Sequence, residues 1–128
     1  PIAKGFVEWI VESVNNGIEI ILFDNVIFTP ITIWDLADEM EWIMKNELSG
    51  VVHISGSEPI SKYAFGVRIC ERLVLNTGLI QKGSIDDVNS KAKRSKDQTL
   101  CSNYYKRFSN RKLPSIENTI NQITTYFN

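Results

Sequence analysis

The sequence has little of what a zinc protein, a nucleic-acid-binding protein or a membrane protein needs. Its 128 residues include one histidine and two cysteines, and Cys70 and Cys101 belong to no CxxC or Cys/His pattern. This spacing excludes a Cys/His metal site and is typical of free thiols in a reducing cytoplasm, where we expect the protein. The net charge of −1 gives no basic field for nucleic acid or an acidic membrane. We also expect no membrane span, because no apolar run reaches roughly 20 residues, and the start of the sequence does not have the pattern of a signal peptide.

Two elements of redox enzymes are also missing from these residues. No glycine-rich turn between a strand and a helix is present to cradle a dinucleotide pyrophosphate. A Tyr-x-x-x-Lys pair works because the lysine lowers the pKa of the phenol on the same helix face. Four positions after Tyr63, Tyr104 and Tyr105 stand Val67, Phe108 and Ser109 instead of lysine. We therefore expect these residues alone to be inactive as a reductase.

The apolar pattern of the first half predicts helices alternating with short strands. Apolar residues at helical spacing from Ile2 to Val14 predict a helix that ends at Gly17, and residues 18–23 predict a strand. Thr32 is expected to cap a helix from Ile33 to about Lys45. That helix is expected to bury one face, formed by Leu36, Ala37, Met40, Ile43 and Met44.

The second half continues the same alternation. Residues 51–55 predict an apolar strand, and Ser61 is expected to cap a helix that stops near residues 76–78. A short strand is expected from Leu79, an irregular loop over 82–99, a short helix over 102–108 and a last helix after Pro114. This pattern indicates an α/β or α+β fold with about five helices in one segment, residues 1–128. We expect the 51–55 strand to have joined a larger sheet.

Single residues are interpreted by their context. His53 lies on an apolar strand, so a structural histidine bonded to the backbone is expected rather than a catalytic one. Core packing is the default for Trp9 and Trp34, and a role in lining a sugar or base pocket stays open. Lys91, Lys93, Arg94 and Lys96 form a local basic cluster, which is either a solvated loop or a site for phosphate groups.

Several short patterns follow one another in an order that resembles one enzyme family. They are an acidic turn after the 18–23 strand at Asp24, Thr29-Pro30 before Asp35-Leu36-Ala37, GVVHISG at 50–56, Ser61-Lys62-Tyr63-Ala64-Phe65, and Arg94-Ser95 before Leu100. In this order the chain resembles the C-terminal part of extended short-chain dehydrogenases/reductases, most of all the dTDP-4-dehydrorhamnose reductases. Ile31 and Ser95 depart from that family's pattern, which usually has threonine and proline there.

The resemblance implies an α/β fold, the C-terminal part of a Rossmann-type reductase whose cofactor-binding half is absent. It implies a parent oxidoreductase that uses NAD(P)H on a nucleotide-linked 4-keto-deoxysugar, with a Tyr-Lys pair upstream of Pro1. In this view the chain is a cut from a longer protein and holds the nucleotide sugar, with Arg94, Lys93 and Lys96 as substrate-binding residues. No catalytic, cofactor-binding or metal residue is expected within it.

Other functions stay open on the same residues. The landmarks are shared with sugar-nucleotide epimerases and dehydratases, and reductase-like folds also serve as non-catalytic regulatory or binding modules. The identity of the sugar, the choice between NADH and NADPH, and a homo-oligomeric state are left open as well.

Overall fold

A computed structural model of the chain describes residues 5–88 and 94–128. Within these ranges the fold is α/β, as predicted, with five α-helices and five short strands in two small sheets. In chain order the elements are α1 (Phe6–Asn15), β1 (Ile20–Phe23), β2 (Ile27–Phe28), α2 (Ile33–Lys45), β3 (Ile60–Ser61), α3 (Lys62–Arg72), β4 (Ile80–Gly83), β5 (Asp97–Gln98), α4 (Asn103–Ser109) and α5 (Ile116–Phe127).

The two sheets are built from distant parts of the chain. In the first, β1 runs parallel to β4, with Ile20 opposite Ile80 and Phe23 opposite Gly83. In the second, β2 lies in the middle, antiparallel to β3 and parallel to β5. The 82–99 stretch, predicted as an irregular loop, therefore also supplies the end of β4 and all of β5. The short strand expected from Leu79 is confirmed by β4, whereas β5 has little sign in its own composition, because it depends on a partner far away in sequence.

Side-chain caps set where three helices begin. The hydroxyl of Thr32 accepts a hydrogen bond from the Asp35 amide at 3.2 Å, and that of Ser61 accepts from the Ala64 amide at 3.0 Å. Ser115 caps α5 in the same way. Each cap satisfies an amide that the first helical turn leaves free, which stabilises a helix by about 1 kcal/mol. The predicted caps at Thr32 and Ser61 are confirmed.

The core surrounds α3. Its buried residues Phe65, Ile69 and Cys70 pack between the β1–β4 sheet, α1 and α5. A Cβ atom at Gly66 would lie 2.3 Å from the Cδ1 atom of Leu22, so glycine lets α3 approach β1 closely. Both cysteines are free thiols; Cys101 is exposed, whereas burial raises the pKa of the Cys70 thiol to about 11.

The predicted buried face of α2 is wrong. Met40 and Met44 are 52% and 70% exposed, Ala37 is exposed, and Leu36 and Ile43 are only half-buried. Residues 51–55 form no strand, because no strand among the described residues pairs with them. The His53 side chain is exposed, and no described residue is hydrogen-bonded to it. The apolar side chains of α2 and of residues 51–54 therefore lie at the surface, where several of them line one groove.

Thr29 and Pro30 shape the backbone beside this surface. The Thr29 hydroxyl accepts a hydrogen bond from the Leu100 amide at 3.1 Å. A Cβ atom at Gly56 would lie 2.1 Å from the carbonyl oxygen of Pro30, so only glycine fits at that position without a backbone shift. Two distant landmarks of the sequence are thus in direct contact.

A charged group on α2 ties this helix to the α4 region. The Glu39 carboxylate is 6% exposed and accepts from the Nε and Nη2 atoms of Arg111, at 2.5 and 3.0 Å, and from the Tyr105 hydroxyl. Burial favours the protonated carboxyl, but the hydrogen bonds from Arg111 and Tyr105 outweigh it, so the pKa of Glu39 lies below its usual value. Burial, together with the hydrogen bond to Glu39, raises the pKa of Tyr105 to about 12.

We expect Glu39→Gln to lower the free energy of unfolding at pH 7 by about 1.5–3 kcal/mol, the range for a hydrogen bond to a charged group. Because the folded pKa of Glu39 is depressed, its contribution is present above the unfolded pKa of about 4.3 and is lost as the pH falls through the folded pKa. Urea unfolding between pH 7 and 3 should therefore show a smaller acid loss for Glu39→Gln than for the wild type. Glu41→Gln, on the exposed side of α2, is the control and should change little. Equal acid losses for wild type and Glu39→Gln would contradict the prediction.

Candidate anion-binding site

The basic residues predicted to bind substrate lie in different surroundings in the structure. Arg94 is exposed and lines a cleft, whereas the Lys96 ammonium pairs with the Asp86 carboxylate at 2.7 Å. Lys91 and Lys93 lie outside the described residues. Binding of substrate by Arg94, Lys93 and Lys96 stays a prediction, for which the geometry around Arg94 is the most informative.

The cleft beside Arg94 has a volume of about 380 Å³. Its walls come from α1, from β1 with the turn after it, from the first residue of α3 and from the chain around β5. The lining residues are Phe6, Trp9, Ile21, Leu22, Phe23, Val26, Lys62, Ile85, Arg94 and Gln98. Most of the lining residues are thus apolar, and Lys62 and Arg94 are the charged residues among them.

Lys62 is the second cation, and the fold holds it at the start of α3. Its amide donates to the Val26 carbonyl at 3.0 Å, and the preceding Ser61 hydroxyl donates to the Asp24 carboxylate at 3.1 Å. The Lys62 ammonium lies over the rings of Phe6 and Phe28, 4.7 and 4.9 Å from their centroids. Burial, and then the positive charge of Arg94, lower the pKa of Lys62.

The two cations of this cleft lack a counter-ion among residues 5–88 and 94–128. Other lysines nearby are paired, Lys96 with Asp86 and Lys82 with Asp24 at 3.4 Å. Two like charges close enough to perturb each other disfavour the charged lysine, and an anion between them would remove that cost. A phosphate or diphosphate fits this arrangement, because a guanidinium binds its oxygens in bidentate fashion and an ammonium adds charge.

Sequence reasoning found Arg94 but missed Lys62. A single lysine in the first turn of a helix is normally solvated, and its position follows from the pairing of β3 with β2. The available signal was its place between Ser61 and Tyr63 in a landmark of the resemblance. Trp9 also lines this cleft, and its contact with a sugar or base stays a prediction.

Other chemistry has little support in the described part of the chain. No group of three or more His, Cys, Asp or Glu side chains there could hold a metal ion. Tyr63 is covered by the ammonium of Lys82, 5.0 Å from the ring centroid, but these residues come from different elements and form no Tyr-x-x-x-Lys pair.

No helix within the described ranges combines the length and the apolar character required to cross a membrane.

We expect pyrophosphate to raise the melting temperature of the chain by occupying this cleft. The gain should be largely lost in Arg94→Ala and Lys62→Met, because each removes one of the two cations. Arg107→Ala, which deletes an exposed arginine of α4, is the matched control and should keep the gain. Thermal unfolding at several pyrophosphate concentrations measures the effect. Equal gains in all four proteins would mean that pyrophosphate acts elsewhere.

Solved structures show the same fold. The dTDP-4-dehydrorhamnose reductase of Bacillus anthracis strain Ames, in complex with NADP, aligns with a TM-score of 0.85 at 20% identity, over 95% of this chain and 43% of that one. The dTDP-4-dehydrorhamnose reductase of Clostridium acetobutylicum aligns with a TM-score of 0.83 at 17% identity, over 98% of this chain and 44% of that one. The dTDP-glucose 4,6-dehydratase of B. anthracis in complex with NAD aligns at 0.77 and 10% identity, over 96% and 39%.

The family assignment comes from the sequence itself. A comparison with curated protein sequences found no match. The sequence model of one family, described as the RmlD substrate binding domain, matches residues 2–128. This match covers nearly the whole chain, including every landmark on which the resemblance was based. The chain therefore belongs to the RmlD substrate binding domain family.

Proposed function

We propose that the chain is the substrate-binding part of an NAD(P)-dependent reductase that acts on nucleotide-linked 4-keto-deoxysugars. The observation that carries the proposal is the cleft that Lys62 and Arg94 both line without a counter-ion among the described residues. A diphosphate is the most anionic part of such a substrate. Family membership supports the same conclusion, since the family is described as binding substrate.

The chain spans about 43% of the length of the similar reductases. The proposal therefore includes a longer cytoplasmic protein whose other part binds the cofactor. This chain has no glycine-rich turn between a strand and a helix, so the proposal assigns the dinucleotide to the other part. When bound to that other part, NAD(P)H would supply hydride to the keto carbon. The residues of this chain would hold and orient the substrate.

The residues proposed to bind substrate have distinct parts in this proposal. Arg94 would bind the phosphate oxygens, and Lys62 would supply a second charge from a half-buried position. Lys93 and Lys96 would contribute less directly; Lys96 already pairs with Asp86. Trp9 and Phe23 would pack against the base or sugar, since aromatic side chains offer large apolar contact areas.

The outward-facing apolar surface supports the idea of a second part. Leu36, Met40, Ile43, Met44, Val52, Ile54 and Leu100 line a groove of about 440 Å³ together with His53. An exposed apolar groove of this kind marks a contact site. We propose that the cofactor-binding part packs here and that residues 51–55 gain a neighbouring strand from it. The share of the similar reductases that this chain does not cover, more than half of each, is large enough for such a part.

In the longer protein we expect Arg94→Ala to weaken nucleotide-sugar binding by roughly 1.5–3 kcal/mol, the range for a hydrogen bond to a charged group. Its affinity for NAD(P)H should hardly change, because the cofactor binds elsewhere. Calorimetry on both ligands, with Arg107→Ala as control, measures the two affinities. Equal losses for both ligands would indicate a folding defect. Unchanged affinities would show that Arg94 belongs to a solvated loop and does not bind the substrate.

We expect the 128 residues alone to oxidise no NAD(P)H in the presence of a dTDP-4-keto-6-deoxysugar, because no acid–base pair or cofactor site is encoded in them. Absorbance at the reduced-nicotinamide band measures this. The longer protein should consume the cofactor in step with substrate. Consumption by the short chain would contradict the proposal. Substrate binding by the longer protein without consumption would favour the regulatory module or an epimerase, which returns its cofactor unchanged.

A further inference from the structure

A second cleft, of about 510 Å³, lies between α1, residues 28–34 and α5. Its volume is within the range of small-molecule sites. Its aromatic lining consists of two groups of rings in mutual contact, Phe6 with Phe28 and Phe65, and Trp34 with Tyr126 and Phe127. We call this the aromatic cleft. Nothing in the proposed function uses it.

One residue that lines the aromatic cleft carries a buried hydroxyl without a hydrogen-bond partner. Thr119, on α5, is 1% exposed, and its hydroxyl oxygen is the one buried side-chain polar atom among the described residues without a hydrogen bond. Other buried hydroxyls are bonded: Thr32 to Asp35, and Thr124 to the Ile120 carbonyl at 2.9 Å. A buried hydroxyl without a partner costs free energy that a bound group could recover.

The charge around the aromatic cleft differs from that of the anion-binding site. Glu8 is the charged side chain among its lining residues, whereas Arg94 and Lys62, whose ammonium packs on the rings of Phe6 and Phe28, line the other cleft. A carboxylate at this position disfavours phosphates and other anions. It favours neutral or cationic ligands, and the rings provide faces and edges against which a flat ring packs well.

We propose that the aromatic cleft binds a small neutral or cationic aromatic molecule whose polar group forms a hydrogen bond with the Thr119 hydroxyl. The walls supply apolar and ring contacts, and Thr119 supplies orientation. This inference is independent of the proposed reductase function, because it uses a different cleft and a ligand of different charge.

The test compares indole with indene, which have nearly the same shape but differ by one N–H donor. We expect both to bind the 128-residue chain, with indole about two- to tenfold tighter, the effect of one net hydrogen bond. In Thr119→Val the two affinities should become equal, with indene unchanged. Thr119→Ser keeps the hydroxyl and should keep the preference. Ligand-observed NMR titrations measure the dissociation constants, and excess pyrophosphate should displace neither ligand.

Thr124→Val is the matched control, because its hydroxyl lies on the same helix but is bonded to the Ile120 carbonyl and does not line the cleft. It should keep the preference for indole. Absence of saturable binding of either ligand would overturn the proposal. So would an undiminished preference in Thr119→Val. Displacement of both ligands by pyrophosphate would show that they occupy the anion-binding site instead.

Discussion

The first residues of α3 are the point on which the rest of the site depends. Here the Ser61 hydroxyl caps the helix and donates to Asp24, and the strand that contains it pairs with β2. The amide of Lys62 is bonded to the chain just before β2. With the backbone held on both sides, the Lys62 ammonium lies against two phenylalanine rings. A shift of this turn would disturb the anion-binding site and the aromatic cleft together, since Phe6 lines both.

The parts of the fold that could be predicted are those written in local sequence. Thr32 and Ser61 carry cap signals, and α2 ends at the predicted residue, Lys45. The predictions that were wrong concern residues whose burial or strand pairing depends on another part of the protein. Met40 and Met44 have the spacing of a buried face, yet nothing among the described residues covers them. Residues 51–55 have the composition of a strand, but a strand needs a neighbour to bond with. The apolar spacing of these residues predicts that they are buried, but it does not show which part of a protein packs against them.

Of the two cations of the candidate site, only Arg94 could be predicted from the sequence. Arg94 could be identified by resemblance, because its position follows a series of landmarks in order. Lys62 gave no comparable signal: its lowered pKa comes from burial and from the charge of a residue 32 positions away in sequence. Thr119 is a similar case, since a threonine inside an amphipathic helix is ordinary until its surroundings are known. Clefts made by several elements are properties of the assembled fold, and the opposite charges of these two clefts could not be derived from composition.

The difference between the two cysteines has a practical consequence. The Cys70 thiol is buried and has a raised pKa, so alkylating reagents should reach it slowly in the folded chain. Cys101 is exposed and directly follows Leu100, which lines the apolar groove beside α2. The natural sequence therefore provides one addressable labelling position without mutagenesis. A fluorophore attached there would sit at the edge of the groove and report, by its change in polarity, when another polypeptide closes over that side of the molecule.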